Sequence, residues 1–197
     1  MTDSSATHRR SDEAAGPQGE GRDSPSKFPA YPEYKDSGVE WLGRIPAHWS
    51  VTKLKWFARV FSGTDFSEAD GAFDLYGANG VIGRTKKPSF GDPRVLIGRV
   101  GSSGAVNYAA GSYGVSDNTL VVENRRQLRT RFLYYWASLQ DFSIDISTTA
   151  QPLLTGSQVK DRCPPFPSIS EQERIEAFLD HEIARIDALI EEQQRLI

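Results

Sequence analysis

The side chains best suited to chemistry in this 197-residue sequence lie in three polar, partly basic stretches. The first, Asn79 to Lys87, carries Asn79, Arg84, Lys86 and Lys87; the second, Arg99 to Asn107, carries Arg99, Ser102 and Ser103; the third, Thr148 to Gln151, ends on Gln151. Arginine and lysine neutralise phosphates and meet guanine edges, while amides and hydroxyls meet adenine edges and sugar-phosphate backbone. Arg84, Lys86 and Lys87 are therefore candidates for phosphate contact, and Asn79, Arg99, Ser102, Ser103 and Gln151 for base reading. On residue type alone, double-stranded DNA and a protein or glycan surface are equally suitable partners.

Readings that need a reaction fail on spacing. Gly98-Arg99-Val100-Gly101-Ser102-Ser103-Gly104 has the glycines of a phosphate cradle. It lacks the P-loop spacing and its Lys-Ser/Thr ending, and no acidic residue about 20 positions on completes a dinucleotide fingerprint. Cys163-Pro164-Pro165-Phe166 shares Pro-Pro-aromatic with the catalytic motif of amino-methyltransferases. Cysteine stands where that motif needs Asp or Asn, and no cofactor-binding glycine motif precedes it, so a rigid hinge is expected. The histidines, at 8, 48 and 181, are scattered, and Cys163 is the single cysteine, so no metal site of familiar type is expected. His48 reads as a packing or turn residue. No nucleophile, base and acid can be grouped, which leaves no catalytic residue, metal or bound cofactor to assign.

The elements that would carry the polar stretches follow from the periodicity. Residues 1–27 are polar and almost without apolar side chains, which predicts a disordered tail. Residues 28–167 form the recognition domain. Its leader, through Trp49, has neither helical nor strand period, and Tyr34, Trp41 and Trp49 are expected to plug into the main body. Val51–Phe61 reads as a strand and residues 65–74 as a polar connection. Asn79-Gly80 marks a hairpin inside Leu75–Gly83. Arg94–Val100, Ala105–Tyr108 and Thr119–Glu123 read as further strands, separated by turns at 111–114 and 116–118. Thr130 can cap a helix with Phe132, Leu133, Trp136 and Leu139 on one face. Ile144–Ile146 looks extended and residues 147–156 read as a loop. The fold class is α+β: a mainly β recognition domain with a few helices, then a long C-terminal helix of coiled-coil type.

That helix occupies residues 168–197. Ser170-Glu171-Gln172-Glu173 reads as its capping box. Leu179, Ile183, Ile186, Ile190, Gln193 and Ile197 then follow at spacings of 4, 3, 4, 3 and 4, a heptad seam with charged residues on the other faces. The stripe is narrow and still running at Ile197 without a Gly or Asn stop, so a partner helix is expected along Leu179, Ile183, Ile186, Ile190 and Ile197. Charge is unevenly distributed around a net of −3: residues 51–131 hold 12 basic and 7 acidic side chains, residues 166–197 hold 3 and 8. A basic middle is compatible with a polyanion. No disulfide framework, membrane-length apolar run or signal-peptide core is present in the sequence, which predicts a soluble cytoplasmic protein.

In order along the chain, several segments resemble one family. Tyr34-Lys35-Asp36-Ser37-Gly38-Val39-Glu40-Trp41-Leu42-Gly43-Arg44-Ile45-Pro46-Ala47-His48-Trp49 resembles the leader of specificity subunits of Type I restriction–modification systems. Tyr76–Gly83, Leu96–Gly101 and Ser116–Thr119 resemble the body of their target recognition domain. Gln151–Thr155, Pro164–Pro167 and Ser170-Glu171-Gln172 through Phe178-Leu179-Asp180 resemble its end and its helical conserved region. The resemblance implies a non-catalytic subunit that reads half of a bipartite double-stranded DNA target. It also implies docking of modification subunits, which carry S-adenosylmethionine and methylate adenine N6, and association with a translocating nuclease (restriction) subunit. Members of the family usually have two recognition domains and two conserved helices. One domain and part of one helix are present here, so the helix is expected to pair with a second copy or a separate half-subunit. The alternative is a remnant that only binds the modification subunit.

Overall fold

The computed structural model describes residues 30–68, 70–101, 104–125, 127–142 and 153–196. The expected tail over 1–27, the extended Ile144–Ile146, and the candidate residues Ser102, Ser103, Gln151 and Ile197 lie outside them.

The leader is more ordered than its composition suggests. Tyr34–Asp36 (β1) and Arg44–Pro46 (β2) pair antiparallel, and Gly38 and Gly43 take the positive φ values that their connection needs. Tyr34 and Trp41 do not plug into the body: both remain exposed. Trp49, the third expected anchor, does turn inward. Ser50–Val51 (β3) then pairs with Pro165–Phe166 (β11), so the Cys-Pro-Pro-Phe segment is a strand lying on the leader as well as a stiff connection.

Two sheets build the body. Ala58–Ser62 (β4), Phe73–Gly77 (β5), Gly80–Thr85 (β6), Arg94–Gly98 (β7), Val106–Ala109 (β8), Tyr113–Val115 (β9) and Thr119–Asn124 (β10) arrange as β4-β10-β7-β8 and β6-β5-β9. All pairings are antiparallel except β5 with β9. The near-continuous apolar runs in β7 and β10 arise because both faces of these central strands are covered. Val95, Ile97, Leu120 and Val122 face one core with the helices, while Leu96 and Val121 face a second core with Val115 and Tyr113. The Val51–Phe61 expectation fails in its middle, where Leu54–Trp56 forms a turn of 3-10 helix that buries Leu54. Tyr113–Val115, whose first two residues were expected in a turn, is instead a buried strand. The Asp65 carboxylate holds it, accepting from the Val115 N–H at 2.8 Å and the Ser89 hydroxyl at 2.6 Å.

Among the described residues, three α-helices complete the fold. Thr130–Ser138 (α1) buries Phe132, Leu133 and Trp136 as expected, with Tyr135 and Ala137, but leaves Leu139 exposed. Thr130 is not its cap; it lies one residue inside, and its hydroxyl donates to Asn124 Oδ1. Gly156–Asp161 (α2) begins on the last residue of the stretch that read as a loop and continues through residues for which no element was expected; Thr155 and Gln158 form its capping box. Ile169–Arg195 (α3) starts on Ser168, two residues before the expected cap. Extended chain delivers Ser168 from β11, and Glu171 completes its capping box while also receiving the Trp49 indole N–H at 3.0 Å and lying 2.8 Å from His48 Nε2. The leader therefore fixes where the helix begins.

The first half of α3 rests on the domain through an acidic and amide face. Gln172 accepts from the Arg129 N–H at 2.9 Å and donates to the Gln127 and Pro167 carbonyls at 3.0 Å each. Glu176 accepts from the Phe132 N–H and from Arg129 Nε, at 2.9 and 2.8 Å. Asp180 takes the Arg131 guanidinium at 2.7 Å and the Tyr135 hydroxyl. No helix among the described residues is long and apolar enough to cross a membrane.

Removing the Glu176 carboxylate strands the buried Phe132 N–H and takes from Arg129 one of its two carboxylate partners. Glu176→Ala is expected to lower unfolding free energy by about 1–3 kcal/mol in urea titration. Acid acts on the same junction. Burial opposes ionisation of Glu171, but hydrogen bonds from Ser168, Trp49 and His48 outweigh it and hold the carboxyl at about 2, below the ordinary 4.5. Its contribution is complete above about 4.5 and is lost as pH falls towards about 2, because the unfolded chain binds the proton first. The loss is up to ~3 kcal/mol, and Glu171→Gln is expected to flatten that part of the stability–pH curve.

Candidate nucleic-acid interface

One end of the four-stranded sheet carries Arg99, the one described base-reading candidate on that sheet; Ser102, Ser103 and Gln151 lie outside the described residues. The turn after β7 begins at Arg99, whose backbone N–H donates to the Asn118 carbonyl and whose own carbonyl accepts from Leu154, both at 3.0 Å. The turn closes at Gly104, where φ is 90° and an added Cβ would lie 2.9 Å from Phe142 Cβ. Phe142 and Leu154 flank the stretch that contains Gln151.

The β5–β6 hairpin tip joins the same rim. Gly77 pairs with Gly80 across Ala78-Asn79, and Gly80 takes φ 96° while Asn79 keeps the negative φ of every described non-glycine residue. Asn79 is exposed, and an added Cβ on Gly80 would lie 3.7 Å from Asn107 Oδ1. Two amides that the residue-by-residue candidate set omitted stand here. Asn118 is exposed beside Arg99, and Asn107 has a buried Nδ2 without a hydrogen-bond partner among the described residues. Asn118 lay within the Ser116–Thr119 segment, and Asn107 closed the polar Arg99 stretch, but only tertiary pairing identifies them as neighbours of the hairpin tip.

Arg99 itself is committed to the domain. Its guanidinium is partly buried and donates to Ser62 Oγ at 2.6 Å, so it ties β4 to the turn. The basic trio stands elsewhere. Arg84 sits near the far end of β6 and Lys86 and Lys87 just beyond it, so a six-residue strand separates them from Asn79, roughly 20 Å at strand rise. Arg84 binds Asp74 and the Ala72 carbonyl; Lys86 Nζ lies 3.5 Å from Asp70, and its N–H donates to Glu68. These carboxylates come from the stretch that read as a mere connection. Lys87 is exposed. The described candidate residues thus divide between an amide-rich rim with Asn79 and Arg99 and a separate, partly neutralised basic corner.

The described partner candidates, Leu179, Ile183, Ile186 and Ile190, occupy one continuous face of α3. Gln172, Leu179 and Ile186 are separated by seven residues each, as are Glu176, Ile183 and Ile190. The face that rests on the domain at Gln172 and Glu176 therefore runs on past it. Leu179 is half-buried at the boundary, while Ile183, Ile186 and Ile190 are 42–53% exposed. Leu189, which the heptad reading left out, is also exposed.

The family described as the Type I restriction modification DNA specificity domain matches residues 46–197. A Haemophilus influenzae protein assigned as a type I restriction enzyme specificity subunit is 27% identical over 114 residues, which is 56% of this chain and 30% of that protein. The S subunit of a Type-I restriction-modification system from M. genitalium superposes with a TM-score of 0.62 at 20% identity, over 72% of this chain and 41% of its own. The HsdS subunit of Thermoanaerobacter tengcongensis gives 0.58 at 19%, over 79% and 41%. The sequence thus spans between about a third and two-fifths of the length of these relatives, and the structures share its α+β fold.

Arg99→Ala removes the bond to Ser62 from the base of the rim. An unfolding free energy lower by about 1–2 kcal/mol is expected in thermal or urea melts of the free chain.

Proposed function

Because this chain belongs to the Type I restriction-modification DNA specificity family, we propose that it reads one half of a bipartite double-stranded DNA target and docks the subunits that act there. One observation carries this reading: the family match runs without a break from the β body into α3, the reading part and the docking part of the proposal. The amide-rich rim supports base reading, since Asn79 and Asn118 are exposed donors and acceptors on neighbouring loops. The exposed stretch of Ile183, Ile186, Leu189 and Ile190 supports a protein partner along α3.

In this account the chain performs no chemistry. Modification subunits carry S-adenosylmethionine and methylate adenine N6, and a restriction subunit joins them to cut DNA that lacks the mark. The site of action is the cytoplasm, where host DNA is met. The α3 stripe takes a helix of the modification subunit, of a second copy or of a separate half-subunit. Docking without DNA reading is the second reading, and the carboxylates beside Arg84 and Lys86 favour it by lowering the net positive charge of that corner.

Selection of duplexes from a randomised pool separates the two. A short enriched half-motif supports DNA reading, whereas no retention of any duplex at low salt installs the docking-only reading. On the selected duplex, Lys87→Ala is expected to weaken binding to all sequences alike and to lower the salt slope by about one. Asn79→Ala is expected to cost about 1–3 kcal/mol on the selected duplex and to relax one position. If Asn79→Ala behaves like Lys87→Ala, Asn79 is a phosphate contact and not a reader.

A further inference from the structure

The tip of the β5–β6 hairpin shows two neighbouring aliphatic side chains to solvent. Val81 is 52% exposed and Ile82 58%. Regular strand alternation would turn one of them to the opposite face. The register slips here instead: Leu75 pairs with Gly83 but Tyr76 with Val81, which leaves Ile82 as an extra residue in β6. A bulge of this kind re-aims side chains and is favoured beside functional sites. The facing strand makes room for it. Gly77 is buried, and an added Cβ would lie 2.6 Å from Ile82 Cγ2 and 2.9 Å from its Cδ1. Ile82 is thus seated across the glycine and is still more than half open. The ribbon below the tip is held firmly. The Tyr76 carbonyl accepts from the Ser116 N–H at 2.9 Å, and the Tyr76 ring meets that of Tyr113 edge-on at 5.6 Å.

We propose that Val81 and Ile82 contact the C5-methyl group of thymine in the major groove, so that the hairpin tip selects an A·T pair within the half-site. The inference rests on the reading of the chain as a DNA-binding subunit and names a base within that reading. Shape is the first support. β6 is the outer strand of its sheet, and a two-stranded ribbon fits the major groove, where the thymine methyl is the apolar group that base edges present. The second is the neighbouring amide. Asn79 is exposed two residues before Val81, and an amide pairs with adenine N6 and N7, so the tip carries a match for both edges of an A·T pair. The third is charge. Between Asp74 and Arg84 the hairpin has no ionised side chain, so no carboxylate of the tip meets the phosphates that flank the groove. A pair of aliphatic side chains is also too small a patch for the core of a protein interface.

The test takes the duplex that the full chain selects from a randomised pool and replaces each thymine in turn by deoxyuridine, which removes the C5-methyl alone. At one position the wild-type chain is expected to bind about fourfold more weakly, the worth of one buried methyl group. In the double variant Val81→Ser, Ile82→Ser that difference is expected to vanish, with the thermal midpoint of the free chain little changed. A selected half-motif of G·C pairs alone overturns the proposal, as does wild-type affinity for every deoxyuridine duplex; either result leaves DNA reading in place. A fourfold loss that persists in the double variant assigns the methyl to another residue and also overturns it. Weaker binding of the double variant to the adenine-N6 modification subunit, at unchanged duplex affinity, makes the tip a protein contact and overturns it likewise. Retention of no duplex by the wild-type chain removes the DNA reading and this inference with it.

Discussion

The structure depends on one carboxylate reaching across from another element. A helix normally caps its own first turn with a side chain just ahead of it. In α1 that position is Arg129, which has no oxygen to offer, and the Thr130 hydroxyl is turned to Asn124. Glu176 of α3 accepts from the Phe132 N–H instead, and Gln172 accepts from that of Arg129. Two helices far apart in sequence are thereby locked in one relative position, and neither can shift without uncovering a buried polar group. Arg129 and Arg131 then bind the remaining carboxylates of that face, which explains why so acidic a helix sits stably on the domain.

The consequence for function is geometric. A helix fixed at its beginning by Ser168, Glu171, Gln172, Glu176 and Asp180 carries the rest of its length on as exposed helix beyond those contacts. The same face supplies hydrogen bonds near the body and isoleucine beyond it. The polar half meets a surface rich in arginine and amides; the apolar half leaves Ile183, Ile186 and Ile190 exposed. In the proposed role, this couples the orientation of the amide-rich rim to the position of whatever binds that exposed stretch. Trp49 and His48 extend that coupling to the leader, since both meet Glu171.

Much of this could be read from the sequence, and the failures have definite causes. Strands buried on both faces declared themselves as apolar runs, and the Asn-Gly hairpin and the long amphipathic helix by their periods. Short elements stabilised only by tertiary contact did not. Tyr113–Val115 is a strand because Asp65 and β5 hold it, with two glycines and a serine just before and inside it arguing for a turn. β1 and β2 pair across a connection rich in glycine and charge that has no alternation. The start of α3 moved to Ser168 because Glu171, not Glu173, had partners in the leader. For the candidate interface, residue type identified polar side chains but not their commitments. Arg99 turned out to brace β4, and Arg84 to meet Asp74, because no local pattern shows which carboxylate or hydroxyl folding will bring near. The heptad stripe was legible in full at Ile183, Ile186 and Ile190, since exposure there follows directly from helix period and the limited extent of the domain.

The central claim is that the chain confers DNA specificity on adenine methylation. A map of N6-methyladenine across the host genome, made with the gene present and with it deleted, tests this most directly. The account predicts that deletion erases methylation at one bipartite motif and leaves all other methylated motifs intact. An unchanged map from a strain in which the protein and its modification subunit are both expressed would contradict it.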